Sequence, residues 1–127
     1  MSLRKYLEQV RSDLQTFDDY GLSEQIGFSA EIRPGSQAVV RATVTFIDTS
    51  ELYIREFLIE QDTVQHLSYA YQYQQRDGTL IFRYDNAKHS PPLGFEQHKH
   101  EADGNIVPAE LPRIEFLVLE IIDIITR

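Results

Sequence analysis

Apolar positions along the chain change period at about residue 21, and that change divides the sequence into its elements. From Ser2 to Tyr20, Leu3, Leu7, Val10, Leu14 and Phe17 recur at alternating steps of four and three. That spacing puts them on one face of an amphipathic helix. Ser2 is placed to cap its start and Gly21 to stop it. The period then falls to two. Ile26, Phe28, Ala30 and Ile32 alternate with polar neighbours, as do Val40, Ala42, Val44 and Phe46. Pro34-Gly35-Ser36 turns the chain between them, and Asp48-Thr49-Ser50 turns it again.

From Leu52 to Glu60 one side carries Leu52, Ile54 and Leu58, the other Tyr53, Arg55, Phe57 and Ile59; Glu56 reads as a solvated strand residue. Residues 65–75 form a tyrosine-rich strand with Tyr69, Tyr71 and Tyr73 on one face. Asp77-Gly78 is a hairpin signal, and Leu80, Phe82 and Tyr84 return. Residues 87–95 form a loop stiffened by Pro91 and Pro92, 97–101 a short strand, and 101–108 a surface loop. A final helix starts at about Leu111, with Pro112 in its first turn and Ile114, Leu117, Val118, Ile121, Ile122 and Ile125 as its apolar stripe. Short connections favour a meander. The expected fold is α+β: an antiparallel sheet of about five to six strands, with the N-terminal and C-terminal helices packed on one face.

The chain has 127 residues, one domain's worth, so residues 1–127 are read as a single domain. It has no cysteine, which excludes disulfides and thiolate zinc sites. No basic and apolar leader follows Met1, and the nearly apolar run 116–125 is broken by Glu120 and Asp123. A cytoplasmic protein without a membrane span is therefore expected. The net charge of −8 argues against a general nucleic-acid-binding coat. Residues 83–100 depart from that balance, with three cations, Arg83, Lys88 and Lys99, against Asp85 and Glu96. Three of the four histidines fall there as well; His66 stands apart and reads as structural or solvated.

Alternation puts Arg83 and Asp85 on one strand face, and His98 and His100 on one face with Lys99 opposite. Two chemistries use such groups. In the first, one imidazole takes the proton of an RNA 2′-hydroxyl, another protonates the leaving oxygen, and a cation stabilises the transition state. His89, His98 and His100 are the acid and base candidates. Arg83 would meet the phosphate, and Asp85 would orient a histidine and favour its protonated form. Asn86, Lys88, Lys99, Tyr71 and Tyr73 are the candidates for holding substrate. In the second, a divalent metal bound by His89, His98, His100 and a carboxylate, Asp85 or Glu56, activates water. Plainer readings stand beside both. Arg83–Asp85 as a bare ion pair, Asn86 as a turn former and the tyrosines as a packing or interface face would leave a non-catalytic protein-binding module. An open tyrosine face and the apolar terminal helix also allow self-association.

These residues resemble the TumE family of small toxins from toxin–antitoxin systems. Tyr69-Ala70-Tyr71, Arg83-Tyr84-Asp85-Asn86-Ala87 before His89, Phe95 ahead of His98-Lys99-His100, and Arg55-Glu56-Phe57 after Asp48 carry the likeness, which runs from about Asp48 to the terminal helix. The sequence departs from the family at Lys88, often proline there, and at Ser90 and Gln97, often histidine. The resemblance implies a toxin that cleaves RNA, neutralised by a helix-turn-helix antitoxin from a neighbouring gene. Arg83, Asp85, Asn86, His89, His98 and His100 match the family's motif.

Overall fold

The computed structural model describes residues 1–88 and 93–127. Helix α1 spans Leu3–Asp19, with the Ser2 hydroxyl accepting from the Lys5 N–H at 3.2 Å. Seven strands follow among the described residues: β1 (Ser23–Arg33), β2 (Gln37–Phe46), β3 (Glu51–Gln61), β4 (Thr63–Gln74), β5 (Leu80–Asp85), β6 (His98–Glu101) and β7 (Ile106–Pro108). Helix α2, Ile114–Thr126, closes the described fold. The strands lie side by side in chain order, every pair antiparallel. Such a meander needs only short turns, and Gly35 and Gly78 take the left-handed conformation those turns require.

Both helices lie on one face. Val10, Leu14 and Phe17 of α1 and Leu117, Val118 and Ile121 of α2 share a core with Val44, Phe46, Leu52, Ile54, Tyr71, Tyr73 and Phe82. Rings mesh edge to face from Phe17 to Phe46 to Tyr73 at centroid distances of 4.8 and 5.8 Å. The tyrosine row is therefore buried under the helices, and the opposite sheet face is the open one. A protein-binding surface made of Tyr69, Tyr71 and Tyr73 is not available in this fold.

Three details depart from the sequence reading. Strand β7 stands where a surface loop was expected, pairing Lys99 with Val107 and His100 with Ile106; this raises the count from five or six strands to seven. A three-residue strand ending in proline leaves almost no periodicity to read. Helix α2 starts at Ile114, three residues late. Leu111, forced towards extended backbone by Pro112, gives its N–H to the Gln97 amide oxygen at 2.9 Å instead. Strand β4 carries a bulge: Phe57 faces Ser68 and Leu58 faces His66, so Leu67 is left over. The bulge shifts the pleat by one residue, and His66 joins the helix-covered face with the odd-numbered tyrosines.

Candidate functional site

Antiparallel register lines up the open face in rows across the strands. One row runs Arg41, Arg55, Ala70, Asp85, His98, and the next runs Thr43, Tyr53, Gln72, Arg83, His100. Alternation within β5 and β6 sets each pair on one face, and the β5–β6 register brings Arg83, Asp85, His98 and His100 to one place.

Asp85 is the centre of this group. Its Oδ2 accepts from Arg83 Nε at 2.6 Å, and its Oδ1 lies 2.5 Å from His98 Nε2. The Ala87 N–H adds a bond of 3.1 Å, and His100 Nε2 stands 3.5 Å away. The carboxylate is buried. Burial alone would raise its pKa, but the Arg83 and Ala87 hydrogen bonds, with the charges of His98 and Arg83, outweigh that and hold it below the ordinary carboxylate value. Arg83 is fixed on a second side by the Gln72 amide oxygen, 2.7 Å from Nη1.

The two imidazoles differ in access. His98 is fully buried, and its Nδ1 lies 2.9 Å from the Glu96 carbonyl. A carbonyl only accepts, so Nδ1 carries a hydrogen and Nε2 is the nitrogen that meets Asp85. The His100 and Arg83 side chains keep 22% and 31% of their accessible surface, so these two can touch a ligand without rearrangement. The His98 and His100 rings stand edge to face with centroids 5.0 Å apart. The ligand atoms of Asp85, His98 and His100 all lie within 4.8 Å of one another, close enough to share one divalent ion.

Not every residue expected here arrives. His89 lies outside the described residues. Lys99 points to the helix face, where it pairs with Glu120 at 3.0 Å and lies over the Phe82 and Tyr84 rings. Tyr71 and Tyr73 are buried under the helices and cannot meet a substrate. Asn86 behaves as a strand-end clasp, accepting from the Tyr69 N–H at 3.2 Å and donating to the Leu67 carbonyl at 3.3 Å. Asn86 and Lys88 also border a cavity of about 480 Å³.

Glu56 is neither solvated nor near these imidazoles. It lies fully buried on the helix face, with the sheet between it and Asp85. Its Oε2 accepts from Tyr6 at 2.6 Å and Tyr71 at 2.7 Å, and it contacts His66 Nε2. Tyr6 OH also meets His66 Nε2 at 3.0 Å. Burial first, and then the charge of Glu56, pushes the phenols of Tyr6 and Tyr71 far above their usual range, so both stay protonated and donate. The cluster ties α1 to β3 and β4. Sequence reasoning took Glu56 as solvated, although its even position between Ile54 and Leu58 pointed inward. It also missed Gln72, whose parity with Ala70 puts it beside Arg83.

A carboxylate that holds an arginine and two histidines on the face the helices leave bare gives this small α+β protein a polar cluster of groups able to move protons or to hold a divalent ion. The family model described as Toxin TumE matches residues 13–127, and the chain belongs to that family. It is accordingly a toxin component of a toxin–antitoxin system, which implies an antitoxin partner. Comparison with curated proteins and with solved structures found no match. No helix among the described residues is long and apolar enough to cross a membrane.

Proposed function

We propose that this toxin is an endoribonuclease whose reaction takes place at Asp85, Arg83 and His100. The observation carrying this reading is that Asp85 gathers Arg83, His98 and His100 on the open face. His100, the more exposed imidazole, takes the proton of the RNA 2′-hydroxyl, and the 2′-oxygen attacks phosphorus. Arg83 neutralises the charge that builds on the non-bridging oxygens. The P–O5′ bond breaks, and the 5′-oxygen receives a proton from a second acid, the role His89 has as the motif's third imidazole. His98 is a positioning residue: it is sealed between Asp85 and the Glu96 carbonyl and holds the carboxylate that orients Arg83 and His100. The products are a 2′,3′-cyclic phosphate and a 5′-hydroxyl.

A second reading is supported by the convergence of Asp85, His98 and His100. There a divalent metal bound by the three would activate water. His98 already donates its Nδ1 hydrogen to a backbone carbonyl, the usual support of a metal-ligating histidine.

Incubation of purified, tag-free protein with RNA, followed by analysis of the fragment ends with and without EDTA, tests both. The acid–base reading expects cyclic phosphate ends that EDTA does not suppress, and loss of cleavage in His100→Gln. Cleavage abolished by EDTA and restored by a divalent ion would transfer the assignment to the metal. Intact RNA under both conditions would end the nuclease reading. We further propose that the neutralising antitoxin is of the helix-turn-helix type, on the strength of the family resemblance. Co-expression with the product of the adjacent gene, scored for growth and complex formation, tests this.

A further inference from the structure

We infer that the open sheet face beside Arg83 is a groove for a single-stranded RNA backbone, with Arg41 and Arg55 as its phosphate contacts. The inference takes its ligand from the ribonuclease reading but its geometry from the sheet alone. A cavity of about 460 Å³ lies over strands β2 to β5 and shares Arg83 with the Asp85 site. Ala70, whose side chain is the smallest of the row, lines it between Arg55 and Asp85. Arg41 and Arg55 face each other directly across β2 and β3. Like charges in directly opposed positions destabilise a sheet. No carboxylate among the described residues lies within ion-pairing distance of either one. In a chain of net charge −8, two adjacent exposed arginines left in mutual repulsion point to an anionic ligand.

The line of charge also has the right extent. Strands are about 4.8 Å apart, so the backbone positions of Arg41 and Arg55 lie roughly 14 and 10 Å from that of Asp85 along one row. A strand crossing the sheet at right angles to the β-strands would meet Arg41, Arg55 and Arg83 in turn before reaching His100. Arg83 commits Nε and Nη1 to Asp85 and Gln72, leaving Nη2 for a phosphate oxygen. Tyr53, exposed in the neighbouring row, offers a ring on which a base can stack. Tyr71 and Tyr73, the sequence's aromatic candidates for holding substrate, lie on the covered face, and the open face carries Tyr53 instead.

The test is binding of a fluorescent single-stranded 2′-O-methyl RNA oligonucleotide, whose blocked 2′-oxygen prevents cleavage, measured by anisotropy over a range of salt. Arg41→Gln/Arg55→Gln should bind roughly tenfold or more weakly than wild type. Its slope of log affinity against log salt should be shallower by about 1.4, two phosphate contacts' worth. The control is Arg4→Gln/Lys5→Gln on the exposed side of α1, which removes the same charge away from the groove and should bind as wild type does. Undiminished binding by the groove variant, with an unchanged unfolding profile, would overturn the inference. So would equal weakening of both variants, because net charge alone would then explain it. Wild type that binds no RNA, but loses antitoxin affinity on Arg41→Gln/Arg55→Gln, would overturn it in favour of an acidic protein segment. Groove-dependent binding without cleavage of unmodified RNA would support the groove and remove the nuclease reading.

Discussion

Replacing Asp85 separates its charge from its shape. In Asp85→Ala, Arg83 Nε, His98 Nε2 and the Ala87 N–H all lose their acceptor. Arg83 is one-third exposed and turns to water at little cost. His98 is fully buried and has no such recourse, so it bears a desolvation penalty of about 1–3 kcal/mol, to which the lost charge-assisted bonds add. Together about 3 kcal/mol is expected. Asp85→Asn keeps the shape. Its amide oxygen accepts from Arg83, its NH₂ takes the Oδ1 position and donates to His98 Nε2 once that nitrogen carries no hydrogen, and only the Ala87 N–H loses its acceptor. Nδ1 stays bonded to the Glu96 carbonyl. The cost should fall to about 1–2 kcal/mol, the difference between charged and neutral hydrogen bonds. For a domain of this size, that is a melting temperature lowered by about 10 °C in the alanine variant and about 5 °C in the asparagine variant. Urea unfolding at neutral pH measures both, and nitrogen-15 spectra of the imidazole read the position of its hydrogen. Equal destabilisation of the two variants to within about 0.5 kcal/mol, or a ring hydrogen on Nε2 in Asp85→Asn, would refute this account of the pair.

Other perturbations test other contacts. Glu56→Leu strips the acceptor from Tyr6, Tyr71 and His66 at a buried position and should cost about 3–5 kcal/mol in urea unfolding; a loss under about 1 kcal/mol would mean the cluster does not tie α1 to the sheet. The Asp85 carboxyl lies below its unfolded value, so its contribution to stability is complete above about pH 4 and is lost as pH falls through the folded value. The acid limb of a stability–pH profile should therefore be shallower in Asp85→Asn than in wild type. Lys99 is the opposite case. Burial lowers its pKa, but the Glu120 hydrogen bond and charge raise it further, so its contribution is present below about pH 10 and disappears at higher pH. Lys99→Met should cost about 1 kcal/mol and leave the toxin's growth arrest intact, because the side chain faces α2 and not the open face.

Parity made much of the fold readable. Alternation within β2, β3 and β5 sorted each strand into two faces, with Val40, Leu52 and Phe82 on one side of their strands and Arg83 with Asp85 on one side of β5, and the two helices announced their stripes. Pattern could not say which face the helices cover, since the tyrosine face and the arginine face are both amphipathic; packing decides that. The bulge at Leu67 was invisible, because no residue type marks it, and with it went the meeting of His66 with Glu56. The candidate site was legible through His98-x-His100 and Arg83-x-Asp85, two residues of equal parity on each of two adjacent strands. The rows joining them to Arg41, Arg55 and Gln72 depend on register, which turns and bulges set and composition does not.

On the proposed reading, the toxin acts at the Asp85-centred group on the open face. The most direct measurement is growth after induced expression, without antitoxin, of wild type, Arg83→Gln, His100→Gln and the helix-face control Lys99→Met, each at matched soluble level. Wild type and Lys99→Met should arrest growth, and Arg83→Gln and His100→Gln should leave it normal. Arrest by both open-face variants, as strong as by wild type, would contradict that reading.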